Sequence, residues 1–170
     1  LSRNLPVSFE VFADNLDEMV KQAFIISKWN SSIYVKIPII NTKGESTSNV
    51  INYLNKNGIK VNITAVFTIN QINTAIDSID TDTPVILSIF SGRIADTGVD
   101  PKPICNYATN LVKSKKNIEI LWASCREVYN IFDAIETKCD IITINDSTMD
   151  KALKLIGKDL YQYSLDTVKQ

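Results

Sequence analysis

Ile33 to Ser46 reads IYVKIPIINTKGES, a lysine set inside an apolar, β-branched run. Ile33, Val35, Ile37 and Ile39 alternate with Tyr34, Lys36, Pro38 and Ile40. A strand through this run has one wholly aliphatic face and a second that carries Lys36. An amine in such a strand is held from bulk water, which disfavours its charged form and frees the lone pair for attack on a carbonyl. Lys36 is therefore the first candidate for a Schiff-base nucleophile. A lysine flanked by Val35 and Ile37 in a buried strand is costly to keep for structure alone, which puts chemistry ahead as the explanation.

Outward from this run, short apolar segments alternate with helix-period segments, the pattern of βα units around a parallel sheet. Strands are expected over Val7 to Phe12, Ile33 to Ile39, Lys60 to Phe67, Val85 to Phe90, Ile118 to Ala123 and Ile141 to Ile144. Helices are expected over Asn15 to Trp29, Thr42 to Asn57, Asn70 to Ile79, Ile104 to Lys115, Arg126 to Thr137 and Ser147 to Ile156. The first of these offers Leu16, Met19, Val20, Ala23, Ile25 and Ile26 to the core. Ser91 to Pro103 reads as a long polar loop, and the segment after Gly157 as polar chain with an unfinished helix. Successive strands begin about 27 residues apart, one βα unit each, and no junction holds a GxGxxG or GxxxxGK[ST] phosphate loop. A nucleotide fold is disfavoured, leaving a barrel of βα units or an open doubly wound sheet.

Composition narrows the chemistry. The 170 residues suit one domain with a real core. With 22% charged residues and a net charge of −1 there is no basic field for nucleic acid and no polybasic membrane patch. Neither a signal peptide nor a transmembrane run stands in the sequence. Cys105, Cys125 and Cys139 show no CxxC spacing, which points to reduced thiols in a cytosolic protein rather than to zinc ligands or disulfides. Histidine is absent, which removes imidazole bases, Ser/His/Asp and Cys/His systems and HExxH metal sites. Proton traffic is left to Lys, Glu, Asp, Tyr and water.

In a (β/α)8 barrel the chemistry sits at the C-terminal ends of several strands. The polar residues here fall at those ends: Glu10 in VSFEVFA, Lys36, Asn62 and Thr64 in VNITAVF, Ser88, Phe90 and Arg93 in SIFSGR, and Ser124 and Arg126 in ASCR. Taken singly, a carboxylate near a strand end more often caps or pairs than catalyses, Asn62 and Thr64 suit barrel filling, and Arg93 suits a loop ion pair.

VSFEVFA, IYVKIPI, NITAVFT, SIFSGRIADTG, WASCREVYNI and GKDLYQYSLDTVK, in this order and spacing, resemble the transaldolase family, in particular its small members, which group with the fructose-6-phosphate aldolases. The resemblance covers essentially the whole chain and implies a TIM-type (β/α)8 barrel. It makes Lys36 the nucleophile that forms an imine with a ketose, and gives Glu10 and Thr64 the water that shuttles protons. Asn62 and Ser88 would then bind substrate hydroxyls. Arg93, Ser124 and Arg126 would hold the sugar phosphate, a task suited to bidentate guanidinium groups, and Phe90 would line the pocket. No metal or organic cofactor is implied.

Family aldolases carry glutamine and tyrosine where this chain has Glu10 and Phe90, so the resemblance favours a transaldolase. That activity moves a dihydroxyacetone unit from fructose 6-phosphate or sedoheptulose 7-phosphate to an aldose phosphate in the pentose phosphate pathway. A fructose-6-phosphate aldolase, or a sugar-phosphate-binding fragment without catalysis, are the alternatives. The family barrel also has two earlier strands, one with an acid/base aspartate and one with a TTNPS-like motif, and the sequence shows neither. The expectation is a single partial barrel domain over residues 1–170, with about six βα units, taken from a longer gene product. A homo-oligomer stays open.

Overall fold

The computed structural model describes residues 5–169 of the chain. Its elements run β1 (Val7–Glu10), α1 (Leu16–Ser27), β2 (Ile33–Pro38), α2 (Ser48–Lys56), β3 (Val61–Val66), α3 (Ile69–Asp77), β4 (Val85–Ile89), α4 (Ser91–Asp96), α5 (Lys102–Leu111), β5 (Ile118–Trp122), α6 (Asn130–Glu136), β6 (Ile141–Ile142), α7 (Asp146–Leu155) and α8 (Leu160–Val168). The strands pair in parallel and in chain order, β1 to β6. Parallel neighbours need a crossover, and the helices between successive strands supply it.

The sheet curls into a half-barrel, an α/β TIM-barrel-like fold. The curl shows in one contact. The Asn62 side-chain amide donates to Ser8 Oγ at 2.9 Å although β2 lies between their strands. Second-neighbour strands in a flat sheet stand roughly 10 Å apart, too far for two short side chains to meet.

Period-2 alternation divides the core accordingly. Val35, Ile37, Val61, Ile63, Leu87, Ile89, Ile120 and Trp122 face outward to a helical layer that includes Met19, Ala23, Ile51, Leu54, Ile72, Ala75, Cys105 and Ala108. Tyr34, Ile86, Leu121 and Ala123 form a second, smaller cluster, with Phe90 and Ile141 packed on it. The open doubly wound sheet is thereby set aside.

Several expected boundaries shift for local reasons. Helix α2 begins at Ser48 because the Asn41 side-chain oxygen takes the Lys43 and Glu45 N–H groups, closing a turn with Gly44 at φ 78°. Helix α6 begins at Asn130 because its side chain accepts from the Arg126 and Glu127 amides. The loop expected from Ser91 begins as α4, anchored by buried Ile94, whose N–H donates to Phe90 O at 2.9 Å. After Gly157 a full helix forms, capped by Asp159 and tied by a 2.8 Å Lys158–Asp166 pair. Ile25 is 60% exposed and takes no part in the core.

The three thiols are free. The neighbouring Cys139 thiol and burial raise Cys105, whereas the Cys105 thiol beside it holds Cys139 below the usual thiol range. Burial pushes Cys125 up to about 11. Thiolate character governs alkylation, and Cys139 is also half-buried where the other two are buried. Iodoacetamide near neutral pH is therefore expected to label Cys139 first, read by peptide mapping; first labelling at Cys125 would contradict this ordering.

Candidate active site

Strand register sets the centre. Glu10 pairs with Lys36 across β1 and β2, and Lys36 with Asn62 across β2 and β3, so three polar side chains share one row of the inner face. Lys36 Nζ lies 3.7 Å from Glu10 Oε2. The Lys36 side chain is 30% exposed, which corrects the expectation of a buried amine held from bulk water. Its face of β2 opens on a cavity of about 830 Å³ rather than on helices.

Lys36, Asn62, Thr64, Ser88, Phe90, Arg93 and Ser124 all line that cavity. Asn62 is buried and held on both sides, its amide donating to Ser8 Oγ at 2.9 Å and its oxygen accepting from Ser88 Oγ at 2.7 Å. Thr64 is buried too, and its hydroxyl has no partner in the protein. Such a hydroxyl calls for an explanation, and this one is free to bond a group inside the cavity. The next residue, Ala65, has φ 57° and marks a register shift between β3 and β4. An L-residue there costs about 1–2 kcal/mol, and bulges of this kind re-aim neighbouring side chains beside active sites.

The far end of the cavity is basic. The Arg93 guanidinium stacks 5.2 Å from the centre of the Phe90 ring, which itself packs on Phe67. Among the described residues Arg93 has no carboxylate within ion-pair distance. Ser124 ends the β5 side with φ 64°. Arg126 does not line the cavity; its Nη2 lies 2.9 Å from Asp96 Oδ2.

Gly92 lets these parts meet. A Cβ on it would stand 1.5 Å from the Ser124 carbonyl oxygen and 3.1 Å from Arg126 Cγ. Glu10 joins the cavity only through Lys36.

Sequence reasoning passed over Ser8, Gly92, Asp96 and Asn130. Ser8 could have been found, because it sits two residues before Glu10 and so on the same strand face. Asp96 and Asn130 act through contacts made only after the loops fold. Among the described residues no three His, Cys, Asp or Glu side chains gather as metal ligands. Among the described residues no helix is long and apolar enough to cross a membrane.

A curled parallel sheet with a lysine and glutamate paired on its inner face invites comparison with known families, and the family model described as Transaldolase/Fructose-6-phosphate aldolase matches residues 1–168. The chain belongs to this family. A Streptococcus equi subsp. zooepidemicus protein named "Probable transaldolase" is 32% identical over 147 residues, covering 86% of this chain and 65% of that protein. A Listeria monocytogenes protein named "Probable transaldolase 2" is 34% identical over 150 residues, 86% of this chain and 64% of that protein. The chain thus spans 64–65% of the length of these curated relatives. Within this member of the transaldolase family, the geometry offers an amine, a carboxylate, hydroxyl and amide groups on adjacent strands, and a basic end to the same cavity.

Proposed function

We propose that this chain carries the Schiff-base site of a transaldolase, within a single partial barrel domain over residues 1–170. The observation that carries the reading is Lys36 Nζ, 3.7 Å from the Glu10 carboxylate, on the inner face of a curled parallel sheet. The substrates are a ketose phosphate such as fructose 6-phosphate and an acceptor aldose phosphate.

Lys36 Nζ attacks the ketone carbon, forming a carbinolamine. Glu10 and the Thr64 hydroxyl manage the protons through a water, the carbinolamine loses water, and the imine forms. A base, the role of the aspartate on the earlier strand of the family barrel, takes the C4 hydroxyl proton as the C3–C4 bond breaks; the electron pair passes to the protonated imine, an aldose phosphate leaves, and an enamine remains on Lys36. That three-carbon unit then adds to the carbonyl carbon of the acceptor, and hydrolysis frees the amine. Asn62 and Ser88 orient sugar hydroxyls, and Arg93, Ser124 and Arg126 take the phosphate.

Glu10 and Phe90 favour transfer over simple cleavage. A carboxylate relays protons, and the Phe90 ring stacks under Arg93 without a phenol near the intermediate. Product analysis tests this: fructose 6-phosphate with erythrose 4-phosphate should give sedoheptulose 7-phosphate, and omission of the acceptor should suppress turnover. Rapid release of free dihydroxyacetone without acceptor would instead identify an aldolase.

A further inference from the structure

We propose that Asp96 is an internal competitor for the substrate phosphate, holding Arg126 until a phosphate displaces it and thereby setting how tightly the site retains phosphorylated sugars. The proposal rests on the phosphate reading of Arg93, Ser124 and Arg126 given above.

Three observations lead to it. Arg93 and Ser124 line the cavity, whereas Arg126 is turned away from it onto Asp96, Nη2 to Oδ2, at 2.9 Å. Asp96 is the last residue of α4, three positions after Arg93, so one short helix carries both a cavity-lining arginine and the carboxylate that occupies the other. The stem of Arg126 passes close to Gly92, with Cγ 3.1 Å from where a Cβ would stand there, so its guanidinium can exchange partners while the stem stays in place.

The exchange is energetically easy. The Arg126 and Asp96 side chains are 50% and 52% exposed, and pairs so exposed hold weakly. A phosphate brings up to two negative charges and three acceptor oxygens against one carboxylate, and guanidinium binds it bidentately. Once displaced, the Asp96 carboxylate remains nearby and repels the bound anion. Asp96 therefore lowers phosphate affinity twice, by occupying Arg126 and by repulsion, which favours release of phosphorylated product.

The test is the affinity for inorganic phosphate, by calorimetry, in the protein and in Asp96→Asn, Arg126→Ala, Arg93→Ala and the double variant Asp96→Asn/Arg126→Ala, each checked for folding by circular dichroism. Asp96→Asn should tighten binding about three- to tenfold at low salt, with the gain shrinking as salt rises. In the Arg126→Ala background the same change should give a much smaller gain, a non-additivity that a purely structural Asp96 would not produce. If Asp96→Asn binds phosphate no better, or more weakly, while Arg93→Ala still weakens binding, the phosphate site stands and this proposal falls. Phosphate binding indifferent to both Arg93→Ala and Arg126→Ala would overturn the phosphate reading, and the proposal with it.

Discussion

Borohydride reduction in the presence of fructose 6-phosphate is expected to fix a three-carbon or hexose adduct on Lys36, and on no other lysine. The chemistry that singles out Lys36 is position rather than charge alone. It lies in register between Glu10 and Asn62, within a row of groups able to move protons and hold hydroxyls, and it opens on a cavity of about 830 Å³, within the range of small-molecule sites. Other lysines lack that company. Lys21, for example, pairs with Glu18 on an exposed helix face, and Lys60 donates to Ser31 O and stacks on Tyr34.

Two variants separate covalent from electrostatic roles. Lys36→Arg keeps a cation opposite Glu10 yet forms no imine, and Lys36→Ala removes both. Both should lose turnover by at least about 10³-fold, since a covalent route has no substitute once its nucleophile is gone. Both should also lose the borohydride adduct. Intact mass and peptide mapping read the result. A folded Lys36→Arg protein that retains the adduct, or substantial turnover, would show that the imine forms elsewhere.

How far the sequence could anticipate this site follows from how local each determinant is. Strands β2 to β5 were legible because short, largely buried β-branched runs leave few alternatives, and Lys36 stood out as the polar exception in such a run. Residues two apart on a strand share a face, so the sequence alone puts Asn62 and Thr64 side by side. What escaped depends on the chain returning on itself. Helix α4 is six residues long with one buried apolar side chain, Ile94, too brief for a periodic signal. Asn41 and Asn130 spend their side chains on nearby backbone amides, and that competition moved the starts of α2 and α6. Helix α8 buries no residue at all, so no apolar stripe announced it, and its cap and ion pair supply the support instead. The exposure of Lys36 turned on the curl of the sheet, since the face opposite the helices opens on a cavity, a property of six strands together rather than of IYVKIP.

The second large effect is expected at Gly92, where the basic end of the cavity is assembled. Its N–H donates to Ala123 O at 3.2 Å, and the Ser124 carbonyl presses so close that an added Cβ would stand 1.5 Å from the oxygen and 2.6 Å from the carbon. These are backbone atoms at the end of a central strand, and they cannot swing aside as a side chain does. Gly92→Ala must either separate α4 from the end of β5 or distort Ser124, which already sits at φ 64°. Overpacking of this kind costs about 3 kcal/mol or more when only backbone can yield. For a chain of this size that lowers the melting temperature by roughly 6–12 °C.

Gly44→Ala is the matched control. Gly44 has φ 78°, and a Cβ added there would meet nothing within 4 Å, so alanine bears only left-handed backbone strain, about 1 kcal/mol. Inorganic phosphate affinity separates the two further, because Gly92→Ala displaces Ser124 and the stem of Arg126 together, whereas Gly44→Ala should leave binding as it was. Were Gly92→Ala to melt no lower than Gly44→Ala and to bind phosphate unchanged, the close approach of α4 to β5 would not be what assembles the basic end of the cavity.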